Sequence, residues 1–309
     1  MINRRNFLKA GAVGGAGLLA SCVPGRRIAG LKPMDRGDSL VKFVDPLVVP
    51  RVLQPASDKV LEIGMTELRQ KLQRELDPTL LWGYNGVYPG PTVEVTKNQR
   101  VAIRWANRLP PRHRLEIDGC LHGTKSRREH EAPPRAVVHA HGARVPPQSD
   151  GYPEATLLPG QTATYDYPNI QNSTTLWYHD HALGITRLNV YLGLAGVYLI
   201  RDASETRLNL PSGAYEIPLV IQDRSFKSDA SLYYPEEWQE EFFGDAILVN
   251  GKVWPYLNVE PRKYRFRILN GSNSRTYTLA LDSGQPFYQI GTDAGLLVVG
   301  AGGGEHDEV

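Results

Sequence analysis

Cysteine is nearly absent from this chain. It has two among 309 residues, Cys22 and Cys120, which excludes a disulfide scaffold and a thiolate-rich zinc module. Net charge is small as well, with 35 basic side chains against 33 acidic. A nucleic-acid binder, which needs surplus cations to neutralise phosphates, is not expected. No apolar run reaches the roughly 20 residues of a membrane-spanning helix. Glycine (30) and proline (23) are plentiful, while 41% of residues are hydrophobic. That composition is turn-rich yet able to build a core, and the length suits one large domain or two ordinary ones.

The first segment reads as an address. Ala10 to Ser21 is uncharged and follows a basic start, as the h-region of an export signal does. Asn3-Arg4-Arg5-Asn6-Phe7-Leu8-Lys9 resembles the bacterial twin-arginine motif, with Asn3 where Ser or Thr is usual. Leu19-Ala20-Ser21-Cys22 resembles a lipobox, in which Cys22 would be lipidated and become the mature N-terminus. Export by the twin-arginine route is expected, to the periplasm or cell envelope, with contact to a membrane only through a lipid anchor on Cys22.

The body reads as an all-β protein. After a lead-in to about residue 55, Leu68, Leu72 and Leu76 have the i, i+4 spacing of one short surface helix. Thr92–Val95, Val101–Trp105, Ala136–His141, Thr162–Tyr167 and Gly196–Ile200 are short β-rich runs separated by turn residues. Pro218–Gln222, Ala246–Asn250, Lys263–Leu269 and Thr276–Leu281 continue the pattern. Such spacing predicts a β-sandwich or barrel. Pro111 to Arg135 mixes both charges and reads as a solvated loop, and Asp202 to Asn209 as a linker.

Four of the eight histidines form two His-X-His pairs, His139-Ala140-His141 and His179-Asp180-His181. On a strand, positions i and i+2 share a face, so each pair presents two imidazoles together. Imidazoles converging without thiolate suit copper, zinc, iron or nickel. His113, His122 and His130, in the charged loop, and His306, near the end, read as solvated. Tyrosines and tryptophans of the strand segments read as core.

The surroundings of these pairs resemble the multicopper oxidase family. Trp82-Gly83-Tyr84-Asn85-Gly86, Pro89-Gly90-Pro91-Thr92 and Ser149-Asp150-Gly151-Tyr152-Pro153-Glu154 are similar to its opening motifs. Leu176-Trp177-Tyr178-His179-Asp180-His181-Ala182, Thr186-Arg187-Leu188-Asn189-Val190-Tyr191 and Ile247-Leu248-Val249-Asn250-Gly251-Lys252-Val253-Trp254-Pro255-Tyr256 are more specific. Together they resemble the bacterial spore-coat laccase and bilirubin oxidase branch, from about Leu81 to Leu297.

The resemblance implies tandem cupredoxin-like Greek-key β-sandwiches. A signal would occupy 1–22, a first cupredoxin domain 23–202, a linker 203–213 and part of a second domain 214–297, with an unmatched tail at 298–309. It implies copper, with His139 on the type 2 ion and His141, His179 and His181 on the type 3 pair. Asp150 would help deliver protons as O2 is reduced to water, a step that consumes them. The donors would be phenols or similar small molecules. The family's His-X-X-His-X-His and His-Cys-His segments do not occur in this sequence, so four of eight cluster histidines are present and type 1 copper has no ligands. The chain is therefore expected to be a C-terminally truncated oxidase, inactive alone. The alternative is an exported copper-binding or cell-envelope structural protein without turnover.

Overall fold

A computed structural model of the chain describes residues 40–117, 133–236, 239–293 and 295–297. Its first half is two facing sheets. One has the order β1 (Val52–Leu53), β4 (Gly90–Thr96), β9 (Ala195–Arg201), β8 (Thr174–Asp180) and β6 (Val138–His141). The other runs β3 (Thr79–Tyr84), β2 (Val60–Gln70), β5 (Val101–Arg108), β7 (Thr162–Tyr167). In β5, Val101, Ile103 and Trp105 are buried while Arg104 is exposed, the alternation of a strand with one face on the core.

Aromatic rings from both sheets interlock at the centre. Tyr178 of β8 meets Tyr84 of β3 edge-on at 4.9 Å and Trp105 of β5 at 5.3 Å. Such pairs add to area burial about 0.5–1.5 kcal/mol each. Gly196 makes room for this ring: a Cβ there would collide with the Tyr178 phenol. The expectation that strand aromatics form core is met at Trp82, Tyr84, Trp105, Tyr167, Tyr178 and Tyr198, all buried.

A third sheet centres on β10 (Glu216–Phe226), flanked by β11 (Leu232–Tyr233), β12 (Ala246–Val249) and β14 (Arg265–Asn270), with β13 (Lys252–Val253) on β12. A small hairpin, β15 (Gly291–Thr292) and β16 (Gly295–Leu296), follows. The described part of the lead-in is pinned twice: Phe43 and Leu47 donate their N–H groups to the carbonyls of Trp254 and Tyr256, and β1 pairs parallel with β4.

Among the described residues two short α-helices interrupt the strands, α1 (Thr186–Leu192) and α2 (Ala203–Arg207). Asp202 caps α2, its carboxylate accepting from the Glu205 N–H at 2.8 Å. The segment read as a linker thus holds a helical turn that buries Glu205. Glu205 belongs to a cluster of three arginines and three glutamates. Arg267 of β14 lies 2.5 Å from both Glu205 and Glu216, and Arg265 2.6 Å from Glu205. Arg201 of β9 lies 2.6 Å from Glu94 and 2.7 Å from Glu216. With its charges turned inward, β14 exposes Phe266 and Ile268, the reverse of the usual strand pattern.

Two expectations fail. Leu68, Leu72 and Leu76 are not on a helix: Leu68 lies in β2 opposite Leu81 of β3, and Leu72 and Leu76 follow in the turn, buried in the core. Ladder pairing on both sides of β2 overrides a periodicity that rested on three residues. Thr276–Leu281 is irregular rather than a strand, because among the described residues no strand pairs with it. Most other expected strands appear, and Thr162–Tyr167 has the expected ends.

Candidate metal centre

The two histidine pairs meet on adjacent strands. β6 pairs antiparallel with β8 so that His139 lies directly opposite His179 and His141 opposite Trp177. Period 2 puts all four side chains on one face. His181, two residues past His179 and just beyond β8, joins them while its N–H donates to the Val137 carbonyl at 2.8 Å. The His139 ring centroid lies 5.6, 5.7 and 5.2 Å from those of His141, His179 and His181. His179 lies 5.6 Å from both His141 and His181. His179 is buried, His139 and His181 are partly so, and His141 is exposed.

Backbone carbonyls orient two of the rings. His139 donates Nδ1–H to the Asp150 carbonyl at 2.6 Å, and His179 donates Nδ1–H to the Asp180 carbonyl at 2.7 Å. Each Nε2 then carries a free lone pair. Two nitrogens on this face, His179 Nε2 and His181 Nδ1, are buried with no hydrogen-bond partner. A buried polar atom left unmade costs about 1–3 kcal/mol, a cost that a metal–nitrogen bond removes. Burial, reinforced by the neighbouring imidazoles and opposed by the Asp180 carbonyl, pushes the His179 pKa down to about 3. The ring is therefore neutral at ordinary pH, the form in which imidazole binds metal. Orphaned nitrogens and a neutral, thiolate-free donor set fit copper. Among the described residues, no three His, Cys, Asp or Glu side chains close on one metal position.

Asp150 arrives through a turn that only glycine permits. Gly151 has φ +77°, and a Cβ there would run into the Val138 carbonyl; that close packing brings the Asp150 carbonyl onto His139. The Asp150 carboxylate stands 3.4 Å from His139 Nδ1 and its side chain is 51% exposed, reachable by solvent and by the ring together.

Of the sequence-predicted site residues, His139, His141, His179, His181 and Asp150 are gathered here. Cys22, Cys120, His122, His130 and His306 lie outside the described residues. His113, expected to be solvated, is instead 8% exposed. It packs edge-on against Trp82 at 4.7 Å and bonds through Nε2 to Asn189 at 3.0 Å. Nothing in its Arg-His-Arg context marks it as buried. Trp177 was also missed as a site residue; it stacks on His179 at 3.9 Å and on His141 at 5.7 Å. Its i−2 spacing from His179 was the available signal.

Solved structures similar to this chain have the same β-sandwich build. The McoA multicopper oxidase of Aquifex aeolicus matches with a TM-score of 0.69 and 32% identity, over 84% of this chain and 53% of that one. Fold and histidine face together define a cupredoxin-type protein with four imidazoles gathered on one sheet face. The multicopper oxidase family model matches residues 69–132 and 127–205. A laccase of Bacillus subtilis is 49% identical over 284 residues, 84% of this chain and 55% of that protein. A laccase of Haloferax volcanii is 42% identical, over 96% of this chain and 54% of that protein. The chain belongs to the multicopper oxidase family, and it spans about half the length of the curated relatives it matches. Residues 1–21 match the twin-arginine translocation signal, so export follows that route.

Proposed function

We propose that this chain supplies the histidine face on which a laccase-like multicopper oxidase binds part of its oxygen-reducing copper cluster. The observation that carries this is the pair of orphaned buried nitrogens, His179 Nε2 and His181 Nδ1, on a face shared with His139 and His141. A scaffold without metal gains nothing by burying unpartnered imidazoles. His139 is assigned to the type 2 ion, and His141, His179 and His181 to the type 3 pair. Copper, when bound, would supply the one-electron chemistry that couples oxidation of phenolic or similar donors to reduction of O2 to water.

The protein's own groups hold, orient and move protons. The Asp150 and Asp180 carbonyls fix the ring faces of His139 and His179 and keep their protons on Nδ1. Trp177 covers one side of His179 against water. The Asp150 carboxylate, half exposed and within 3.4 Å of His139, is placed to pass protons inward from solvent. No His-Cys-His segment occurs in these 309 residues, so the type 1 copper ligands that electron entry would need are not among them. Delivery to the periplasm or cell envelope, with Cys22 lipidated, completes the proposal.

Copper titration of the purified chain, read by electron paramagnetic resonance, tests it. The wild type is expected to bind Cu(II), and a His179→Gln, His181→Gln double variant to bind at least tenfold more weakly. Equal uptake by both would sink the assignment. Mass spectrometry of the mature N-terminus from expressing cells decides whether Cys22 carries lipid.

A further inference from the structure

The residue between the second pair of histidines points away from the metal face, as the odd position on a strand must. Asp180 is wholly buried and its carboxylate receives three donors from three different segments. Oδ1 accepts from the Val137 N–H at 2.9 Å, two residues ahead of His139. Oδ2 accepts from the Ala182 N–H at 3.1 Å, one residue past His181, and from Asn189 Nδ2 of α1 at 2.9 Å. One carboxylate therefore ties the strand entering the first histidine pair to the turn leaving the second, and both to a helix. Its own backbone carbonyl holds the His179 ring.

A further layer stands behind Asp180. Asn189 Nδ2 also donates to the Arg135 carbonyl at 3.1 Å, and its amide oxygen lies within hydrogen-bond distance of His113 Nε2, at 3.0 Å. His113 in turn is wedged against Trp82. Rotation of the Asn189 amide would break bonds on both sides, and the core locks it.

We propose that Asp180 is the positioning residue that holds the two histidine pairs in one frame, with Asn189 and His113 as its supports. The proposal rests on the copper reading above for its consequence, though not for its geometry. A carboxylate that fastens ligand-bearing backbone from behind acts through the ligands' aim and tautomer, and loss of such partners typically costs 10–100-fold in metal affinity.

The test uses the full chain, with Asp180→Asn as the first variant. That substitution keeps the shape but turns one acceptor into a donor facing a donor. Asn189→Ala, which removes one of the three donors, serves where Asp180→Asn does not fold. Asn250→Asp is the matched control. Asn250 is equally buried and bonds to Val220 and Pro218 of β10.

Two readouts are taken: Cu(II) affinity by chelator competition, and the ring tautomers of the metal-free histidines by long-range 1H–15N NMR. The expected result is a 10–100-fold loss of affinity for Asp180→Asn, a smaller loss for Asn189→Ala, and His179 no longer held as the Nδ1–H tautomer. The control should keep both near wild type. Affinity and tautomer unchanged in the Asp180 and Asn189 variants, or a loss matched by Asn250→Asp, would overturn the positioning role. If the wild type binds no copper, the proposed function fails; the tautomer readout then decides the positioning role alone.

Discussion

Six charged side chains meet between β4, β9, α2, β10 and β14, and four imidazoles meet between β6 and β8. In the first group every guanidinium has a carboxylate beside it and the formal charges cancel. In the second, two buried nitrogens have no partner at all. Both groups are polar and drawn from strands distant in sequence, yet one is satisfied from within and the other is not. Inward-facing polarity that closes on itself holds sheets together; polarity left open is the mark of a site waiting for something from outside the chain.

The sharpest way to break the contrast is to open the closed cluster. Glu216→Ala leaves Arg201, Arg265 and Arg267 with fewer anions in a buried setting, and about 3–5 kcal/mol of stability is expected to vanish. Denaturant unfolding measures it. The same cluster has a pH signature. Burial alone would raise the Glu216 pKa, but the hydrogen bond from Arg201 and the charges of Arg267 and Arg201 hold it below the usual carboxylate value of 4.5. Its stabilisation is therefore complete above that value and drains away as pH falls through the folded-state pKa.

Gly151→Ala acts on the open site instead. The Cβ meets the Val138 carbonyl and the backbone stays in the left-handed region, at a cost of about 1–3 kcal/mol. Because the turn carries the Asp150 carbonyl to His139, weaker copper binding should accompany the lower thermal midpoint. A stability loss with unchanged copper affinity would separate that turn from the site.

A gentler probe of the closed cluster is Asp202→Ala, which removes the cap of the helix bearing Glu205. Roughly 1 kcal/mol is expected. Burial works against ionisation of Asp202, yet hydrogen bonds from Ser204, Glu205 and Ser173 bring its pKa down to about 2. The wild-type advantage over the variant should persist at neutral pH and fade below about pH 4. Smallest in stability, and most telling, is His181→Leu. Its buried Nδ1 has no bond to lose, so the metal-free fold should change by less than about 1 kcal/mol while copper affinity falls tenfold or more. A large loss in the metal-free chain would place His181 with the structural cluster.

These clusters also show what a sequence yields on its own. The histidine face was legible because a period of two is local: i and i+2 suffice to aim His139 with His141, and the strand signals around them are strong. The same period would have exposed Trp177. The burial of His113, the clasp at Asp180 and the inward turn of Arg265 and Arg267 depend on Asn189, Val137, Glu205 and Glu216. Those partners are distant in sequence for most of them, and no spacing rule reaches them. Leu68, Leu72 and Leu76 misled for the same reason, since the pairing of β2 with β3 and β5 decided their shape.

The register of β6 against β8 carries a last consequence. Strand β6 has four residues, and a slip of one position against β8 would swing His139 and His141 to the opposite side of the sheet, away from His179 and His181. A metal held by residues of both strands would bind only the correctly aligned form. By mass action it would then enrich that form in proportion to its free concentration. The ion would thus act as a proofreader of strand alignment, so that how well this chain folds and how much metal surrounds it while folding become a single question.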